Sequence, residues 1–404
     1  MKKISILGLC LAAGLTMSAQ NNLVKEVERT VKSGSFNYSE LKAKIDEMTQ
    51  NPESKDNVKT WMVAGQAAFA NYDALFLKVQ MGQDVDKKEI GNSMIDGYNY
   101  MMAALPLDTV VDAKGKVKAK ESKKILKTIA ENYPHFNNAG IFLWEAQDYA
   151  GAYKAWDIYS TLSSDPRMAQ VGLKADADTV VAQIVFNKAL AAWQIEDLEK
   201  ALVAFDEACE KGYDKKNLFD YAISVASQAQ KNDVAIKYAK IAYPKYGKES
   251  SMYLQVIIND YLGRKEFEEA KNFINGLLSE EPNNAEYYNM LGVLLENEGK
   301  QDEAIEVYKK AIEMNQEYAQ AQYNLGNILY NKAYAIDNDA SSLPTAQYNK
   351  IRAEQTEPLL REAALHLEEA YKLDGDNMSD ALRHLKNIYY ILEDQENLKR
   401  IELM

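Results

Sequence analysis

Apolar residues through the middle of the chain recur four positions apart, the step that places two side chains on one face of a helix. Ala201-x3-Phe205 is followed by Ala235-x3-Ala239, Ala270-x3-Ile274 and Ala304-x3-Tyr308. The leading alanines stand 34, 35 and 34 residues apart. A fixed period of this length predicts an array of stacked helix pairs. The small residue lets two backbones cross closely, and the larger one fills the space beside the crossing. One pair cannot bury its apolar face alone, so neighbours must bury it jointly.

The same pattern extends outward. The clearest unit reads Tyr288-x2-Leu291-Gly292-x2-Leu295, then Ala304-x3-Tyr308, then Ala311. An earlier one reads Phe136-x2-Ala139-Gly140-x2-Leu143, then Ala152-x3-Trp156, then Pro166. These residues resemble the tetratricopeptide repeat (TPR), whose pattern is W-x2-L-G-x2-Y, then A-x3-F, then P. The resemblance covers nearly all of the chain after residue 20. It implies an all-α fold, an α-α superhelix of about seven helix pairs. The layout also resembles exported TPR proteins of the Bacteroides group.

The array is expected over residues 58–404, most regular over 182–316, after an N-terminal cap region at 21–57. Within the cap, Ser39 to Thr49 reads as an amphipathic helix capped by Ser39 and ended by Asn51-Pro52. Trp61-x2-Ala64-Gly65 opens the first unit, but its second helix is delayed, which places an insertion at 71–95. Leu325-Gly326 opens a late unit closed only by Ala363-x3-Leu367, which places another at 331–358. Asp337 to Pro344 reads there as a turn-rich loop. Val110 to Lys120 predicts a short hairpin around Lys114-Gly115. Leu385-x3-Tyr389 with Leu398 and Ile401 reads as a shortened last unit, as terminal repeats often are.

Residues 1–20 carry Lys2-Lys3, an apolar run from Ile4 to Leu15 and a small-residue stretch from Thr16 to Gln20. This predicts a secretory signal peptide, too short to span a bilayer at roughly 12 residues against about 20. Lipidation at Cys10 is not expected, because Leu9 precedes it and it lies inside the apolar run. Export follows, with the periplasm favoured and secretion or cell-surface display the alternatives. The formal charge of −13 becomes −15 once the two lysines are removed. An acidic surface disfavours nucleic acid and anionic membranes as partners. No later segment is apolar enough to span a membrane. Cys209 then stands alone and reads as a small buried hydrophobe on an apolar helix face.

Candidate chemistry is sparse. His135, His366 and His384 stand apart, and no metal-binding, nucleophile-elbow or phosphate-loop motif is present. Acid groups such as Glu266, Glu268 and Glu269 read as a solvated helix face. Asp337-Asn338-Asp339 lacks the spacing of a calcium loop. The expectation is a protein without cofactor or metal that is not an enzyme. A lysine run, Lys114, Lys116, Lys118, Lys120, Lys123, Lys124 and Lys127, reads as a solvated hairpin, with docking of an anionic partner as the sharper alternative.

The resemblance implies that the first helix of each pair lines a groove. Offsets from each small residue select Phe69, Trp144, Phe186 and Trp193 towards the N-terminus, and Gln255, Asn259, Asn289, Asn297, Tyr323, Asn327 and Tyr330 towards the C-terminus. Aromatics anchor side chains and amides bond extended backbone. Some TPR proteins clamp a peptide's terminal carboxylate with a lysine three residues before the small position. Here those positions hold Met62, Asn137, Phe186, Asp220, Gln255, Asn289 and Tyr323, so a clamp of that kind is not expected. A protein or peptide partner is the first expectation. A glycan or solute bound by the aromatics is the second, and an enzyme built on the insertions the third.

Overall fold

The computed structural model describes residues 22–111 and 117–403, and the side chains of 110–111 and 117–118 are not among those described. The segment expected to be a signal peptide, with Cys10, and Lys114 and Lys116 of the lysine run lie outside these residues. The chain is helical almost throughout. An N-terminal helix pair, α1 (residues 22–33) and α2 (Tyr38–Gln50), comes first. Then follow α3 (Val58–Gln80), α4 (Lys87–Ala104), a two-stranded hairpin of β1 (Val110–Val111) and β2 (Val117–Lys118), and α5 (Ser122–Glu131). Next come α6 (Tyr133–Glu145), α7 (Tyr149–Ser164), the short α8 (Pro166–Gln170), α9 (Asp178–Gln194), α10 (Leu198–Glu210), α11 (Lys216–Gln228) and α12 (Asn232–Tyr246). The rest comprises α13 (Met252–Arg264), α14 (Phe267–Glu280), α15 (Ala285–Asn297), α16 (Gln301–Met314), α17 (Ala319–Ala340), α18 (Thr345–Ile351), α19 (Glu357–Leu373), α20 (Ser379–Ile391) and α21 (Gln395–Glu402). The expected hairpin is present, with Val110 opposite Lys118 and Val111 opposite Val117.

Two compact units divide the chain, one ending at Ala242 and the other beginning at Tyr243. The boundary falls in α12, just before Pro244, which removes a backbone donor from that helix. Each unit is an α-α stack. In each, the small position of a first helix faces the large position of its second helix, 16 residues on. A Cβ added to Gly140 would lie 2.3 Å from Trp156 Nε1, and one added to Gly292 would lie 2.5 Å from the Tyr308 ring. Ala189 and Phe205 occupy the same two places and are both fully buried.

The turn inside each pair repeats as well. Gln147, Glu196, Gln230, Lys265, Gly299 and Glu393 adopt the left-handed conformation one residue before the second helix is capped. Each following N–H bonds back five residues, for example Asp197 N to Ala192 O at 3.0 Å and Lys231 N to Ala226 O at 2.8 Å. This bond satisfies a carbonyl at the end of the first helix. Asp148, Asp197 and Asp394 then cap the next helix through their carboxylates. Glycine occupies only one of these six left-handed positions, so the others carry strain. Gln230 is exposed there. Gln230→Gly should therefore stabilise the chain by about 0.5–1 kcal/mol, the left-handed penalty less the entropy of glycine. Urea unfolding read by tryptophan fluorescence checks this, and a destabilised variant would refute it.

Several expectations change. The region at 71–95 is not an inserted loop: α3 runs on through Asn71 and Tyr72 to Gln80, and α4 begins at Lys87. Both helices are lengthened together, and the added turns bury Asn71, Tyr72, Leu75 and Ile90. The region at 331–358 is likewise helical. Asp337–Ala340 close α17, the turn is confined to 341–344, and α18 leads through a π-helical turn, Arg352–Thr356, into α19. Arg352 Nη2 ties that turn to Ile391 O at 2.6 Å. The N-cap of α2 is Asn37 rather than Ser39, its Oδ1 accepting from Ser39 N and Glu40 N. Cys209 is half-buried, not buried.

The hairpin is closed by a residue the sequence does not mark. The Asp108 carboxylate, 3 % exposed, accepts N–H bonds from Lys120 (3.1 Å), Glu121 (2.8 Å) and Ser122 (2.6 Å), and the Ser122 hydroxyl at 2.7 Å. Burial alone would raise its pKa, but these bonds outweigh burial and hold it below the usual range. Asp108 thus caps α5 from a distance.

Candidate functional site

The structure sorts the groove candidates by what the next helix does with them. Phe69 and Phe186 are 4 % exposed and belong to the core, which corrects their assignment to the groove. Phe69 fills the space over Gly97. Phe186 stacks on Tyr213 at 4.4 Å and lies 6.2 Å from Tyr221, a residue contributed by α11. A second correction concerns Asn289. It is 2 % exposed, and its Oδ1 accepts from Asn324 Nδ2 at 3.0 Å. That bond ties α15 to α17, so Asn289 serves repeat-to-repeat packing.

In the C-terminal unit, Gln255, Asn259 and Asn297 are exposed, with Asn297 Nδ2 bonded to Val293 O of its own helix. Tyr323, Asn327 and Tyr330 are half-buried on α17. Both tyrosines stack on His384 of α20, with ring centroids at 6.3 and 5.1 Å. Burial, then Arg383, lowers the pKa of His384, which favours the neutral ring. His366 Nδ1 lies 2.7 Å from Gln322 Oε1, and His135 Nδ1 lies 3.1 Å from the Tyr72 hydroxyl. All three histidines are packing residues. Among the described residues no cluster of side chains could hold a metal ion, and no helix is long and apolar enough to cross a membrane.

Trp144 and Trp193 remain available. Each stands in the last turn of a first helix, α6 and α9, where the left-handed turn swings the chain away and leaves the indole at the rim. Trp144 is half-buried, edge-on to Tyr149 at 4.9 Å and near Trp156 at 6.0 Å. With Ile141, Glu145, Asn187 and Leu190 it lines a cleft of about 310 Å³. Ile141 is 41 % exposed, so the cleft has an apolar lip. One repeat on, Trp193 lies 5.6 Å from Tyr221, and its Nε1 donates to Gln228 Oε1 at 3.1 Å. It lines a second cleft, of about 470 Å³, with Gln194, Glu196, Leu198 and Gln228.

Ile141, Leu190 and Tyr221 escaped the sequence analysis. The first two are ordinary helix residues whose exposure depends on the neighbouring helix. Tyr221 sits two residues before Ile223, which holds the small position in this unit, and so falls outside the offsets used. Acid borders both clefts: Glu145, paired with Lys87 at 2.7 Å, and Glu196. The arrangement offers apolar anchorage beside negative charge, and no nucleophile with a base.

Residues 274–306 match the tetratricopeptide repeat, and residues 297–333 match a TPR repeat. No curated protein matches the chain. Among solved structures, a TPR repeats protein from Bacteroides fragilis is 18% identical, with 64% of this chain and 98% of that chain covered and a TM-score of 0.33. A tetratricopeptide repeat protein from Parabacteroides merdae is 13% identical over 80% of this chain and 98% of that chain, with a TM-score of 0.31. YrrB, a TPR protein with an unusual peptide-binding site, is 17% identical over 66% of this chain and 98% of its own, with a TM-score of 0.27. Residues 274–333 thus carry tetratricopeptide repeats, and helix pairs of the same small-over-large construction, Gly140 with Trp156 and Ala189 with Phe205, stand before them.

Proposed function

We propose that the protein is a non-enzymatic interaction scaffold, exported to the cell envelope and held in the periplasm, that grips a segment of a partner protein. The clefts under Trp144 and Trp193, on consecutive first helices of the N-terminal unit, carry this reading. A segment with apolar side chains would seat them against the indoles, and its basic residues would meet Glu145 and Glu196. The strongly negative charge of the whole chain favours the same kind of partner.

The test is a crosslinking pull-down of the tagged protein from its own cells, followed by affinity measurement with the captured partner. Trp144→Ala and Trp193→Ala should each weaken capture by roughly tenfold or more, since buried tryptophans are typical anchors. Unchanged capture by both variants would remove the clefts from the interface. Turnover of a substrate panel would refute the non-enzymatic reading. Loss of binding to a glycan array in the same variants would assign the clefts to sugars.

A further inference from the structure

Trp144 and Trp193 occupy the same place in the repeat, each three residues before a left-handed turn residue, Gln147 and Glu196. Their surroundings differ in what the following first helix lays beside them. The residue concerned stands nine before the next left-handed position: Asn187 on α9, Tyr221 on α11 and His384 on α20. On α11 it is a ring laid against the preceding first helix, with centroids 6.2 Å from Phe186 and 5.6 Å from Trp193. On α20 it is again a ring, nearly parallel to Tyr323 and Tyr330 at 6.3 and 5.1 Å. Asn324 of α17 holds the same place relative to Gly326, and there an amide meets an amide, Asn289, at 3.0 Å. At these three junctions like meets like, ring on ring or amide on amide.

The junction of α6 with α9 departs from this pattern. Asn187 lines the cleft with Trp144, and its Oδ1 accepts from Gln183 Nε2 of its own helix at 3.3 Å. The amide oxygen that α6 could offer it, Asn137 Oδ1, is taken by Trp156 Nε1 at 3.2 Å. A short side chain thus stands where α11 and α20 carry a ring, and the cleft of about 310 Å³ beside Trp144 is the result. Ile141, Trp144, Trp156 and Leu190 are its apolar walls, and Glu145 and Asn187 its polar members.

We propose that this cleft takes an aromatic side chain of the partner protein, which completes the junction as Tyr221 and His384 complete theirs from within. The proposal rests on the scaffold reading and names the residue that the gripped segment must carry. Trp144 and Trp156, with centroids 6.0 Å apart and planes tilted by 43°, offer both ring face and ring edge. A third ring gains energy there beyond the area it buries, whereas an aliphatic chain gains the area alone. Charge selects the neighbour of that ring. Glu145 already shares its charge with Lys87, while the Glu196 carboxylate beside Trp193 has no partner among the described residues. A basic residue of the segment therefore belongs on the Trp193 side. Asn187 is the specificity position, because a ring in its place would close the cleft.

The experiment is ligand-observed NMR titration of the purified full chain with the N-acetyl amides of tyrosine, phenylalanine, tryptophan and leucine. At least one aromatic amide should bind saturably, and about threefold or more tightly than the leucine amide. Asn187→Tyr should weaken that binding at least about tenfold, yet unfold at the same or a higher temperature, since its ring fills the cleft. Trp144→Ala reads the same point without adding volume and should also lose the binding, while Trp193→Ala keeps it. No saturable binding of any aromatic amide overturns the proposal. Equal binding of the leucine amide, or unchanged binding by Trp144→Ala or by folded Asn187→Tyr, overturns it too. Partner capture separates the two readings. Capture lost in Trp144→Ala without any aromatic amide binding would keep the scaffold and overturn the ring. Capture unchanged in Trp144→Ala would remove this cleft, and the partner's ring with it, from the interface.

Discussion

Tyr308→Ala should destabilise the C-terminal unit by about 4 kcal/mol, the usual cost of deleting a fully buried aromatic ring. Tyr308 is 0 % exposed and lies directly over Gly292, where no Cβ fits. Helix α15 cannot close over the space left behind, because the main chain at Gly292 has no side chain to lend. The hydroxyl contributes separately. It donates to Glu296 Oε2 at 3.0 Å, and Glu296 is a carboxylate whose pKa burial raises despite that bond. Tyr308→Phe should thus cost about 2 kcal/mol, a single hydrogen bond to a charged group. Gly292→Val tests the same contact from the other side and should cost about 2–3 kcal/mol through overpacking. The double variant Gly292→Val with Tyr308→Ala should cost less than the two alone, since the valine occupies part of the vacated space. Urea unfolding followed by far-UV circular dichroism reads all four. A cost below about 1 kcal/mol for Tyr308→Ala would show that the pair does not carry the packing assigned to it.

Lys188→Ala should destabilise the N-terminal unit by about 2–3 kcal/mol. Lys188 is 5 % exposed, and its ammonium bonds Glu207 Oε2 at 2.6 Å, Asp157 Oδ1 at 3.2 Å and Ser160 Oγ at 3.2 Å. It thereby joins α7, α9 and α10. Removing one partner from a fully buried pair costs about 3–5 kcal/mol, because the remaining charge is stranded. Here the side chains of Asp157 and Glu207 are 48% and 30% exposed and can rehydrate, which lowers the figure. Lys188→Met keeps the apolar stem and should cost roughly half as much. All four tryptophans lie between residues 61 and 193, so fluorescence follows this unit directly. If Lys188→Met proved more stable than the natural chain, the ammonium would be a burden on the fold instead of a joint.

The helix pairs were legible because their contacts are close in sequence. Gly140 meets Trp156 and Gly292 meets Tyr308 at a separation of 16 residues, so small and large residues must recur at that offset. The lengthened units were harder to read. Asn71 and Tyr72 continue α3, but a second helix is missing at the usual distance, so the sequence pattern places an insertion there without showing that it is helical. The shift of the α2 cap from Ser39 to Asn37 is a choice between two good capping residues, which local sequence does not settle.

The site was only half legible. Phe186 and Trp193 lie seven residues apart on α9, and both satisfy the offset expected of a groove residue. Tyr213 and Tyr221 cover the first, while the second opens on a cleft. No pattern within α9 distinguishes them, because exposure belongs to a pair of helices and not to either one. The same holds for Asn289, which bonds to Asn324 of the next repeat. The sequence by itself determined the helix pairs, their period and the small-over-large contacts, since these arise between near neighbours in the chain. The tertiary structure alone decided which aromatics stay open and which lysine is enclosed, since each depends on side chains brought up by another helix.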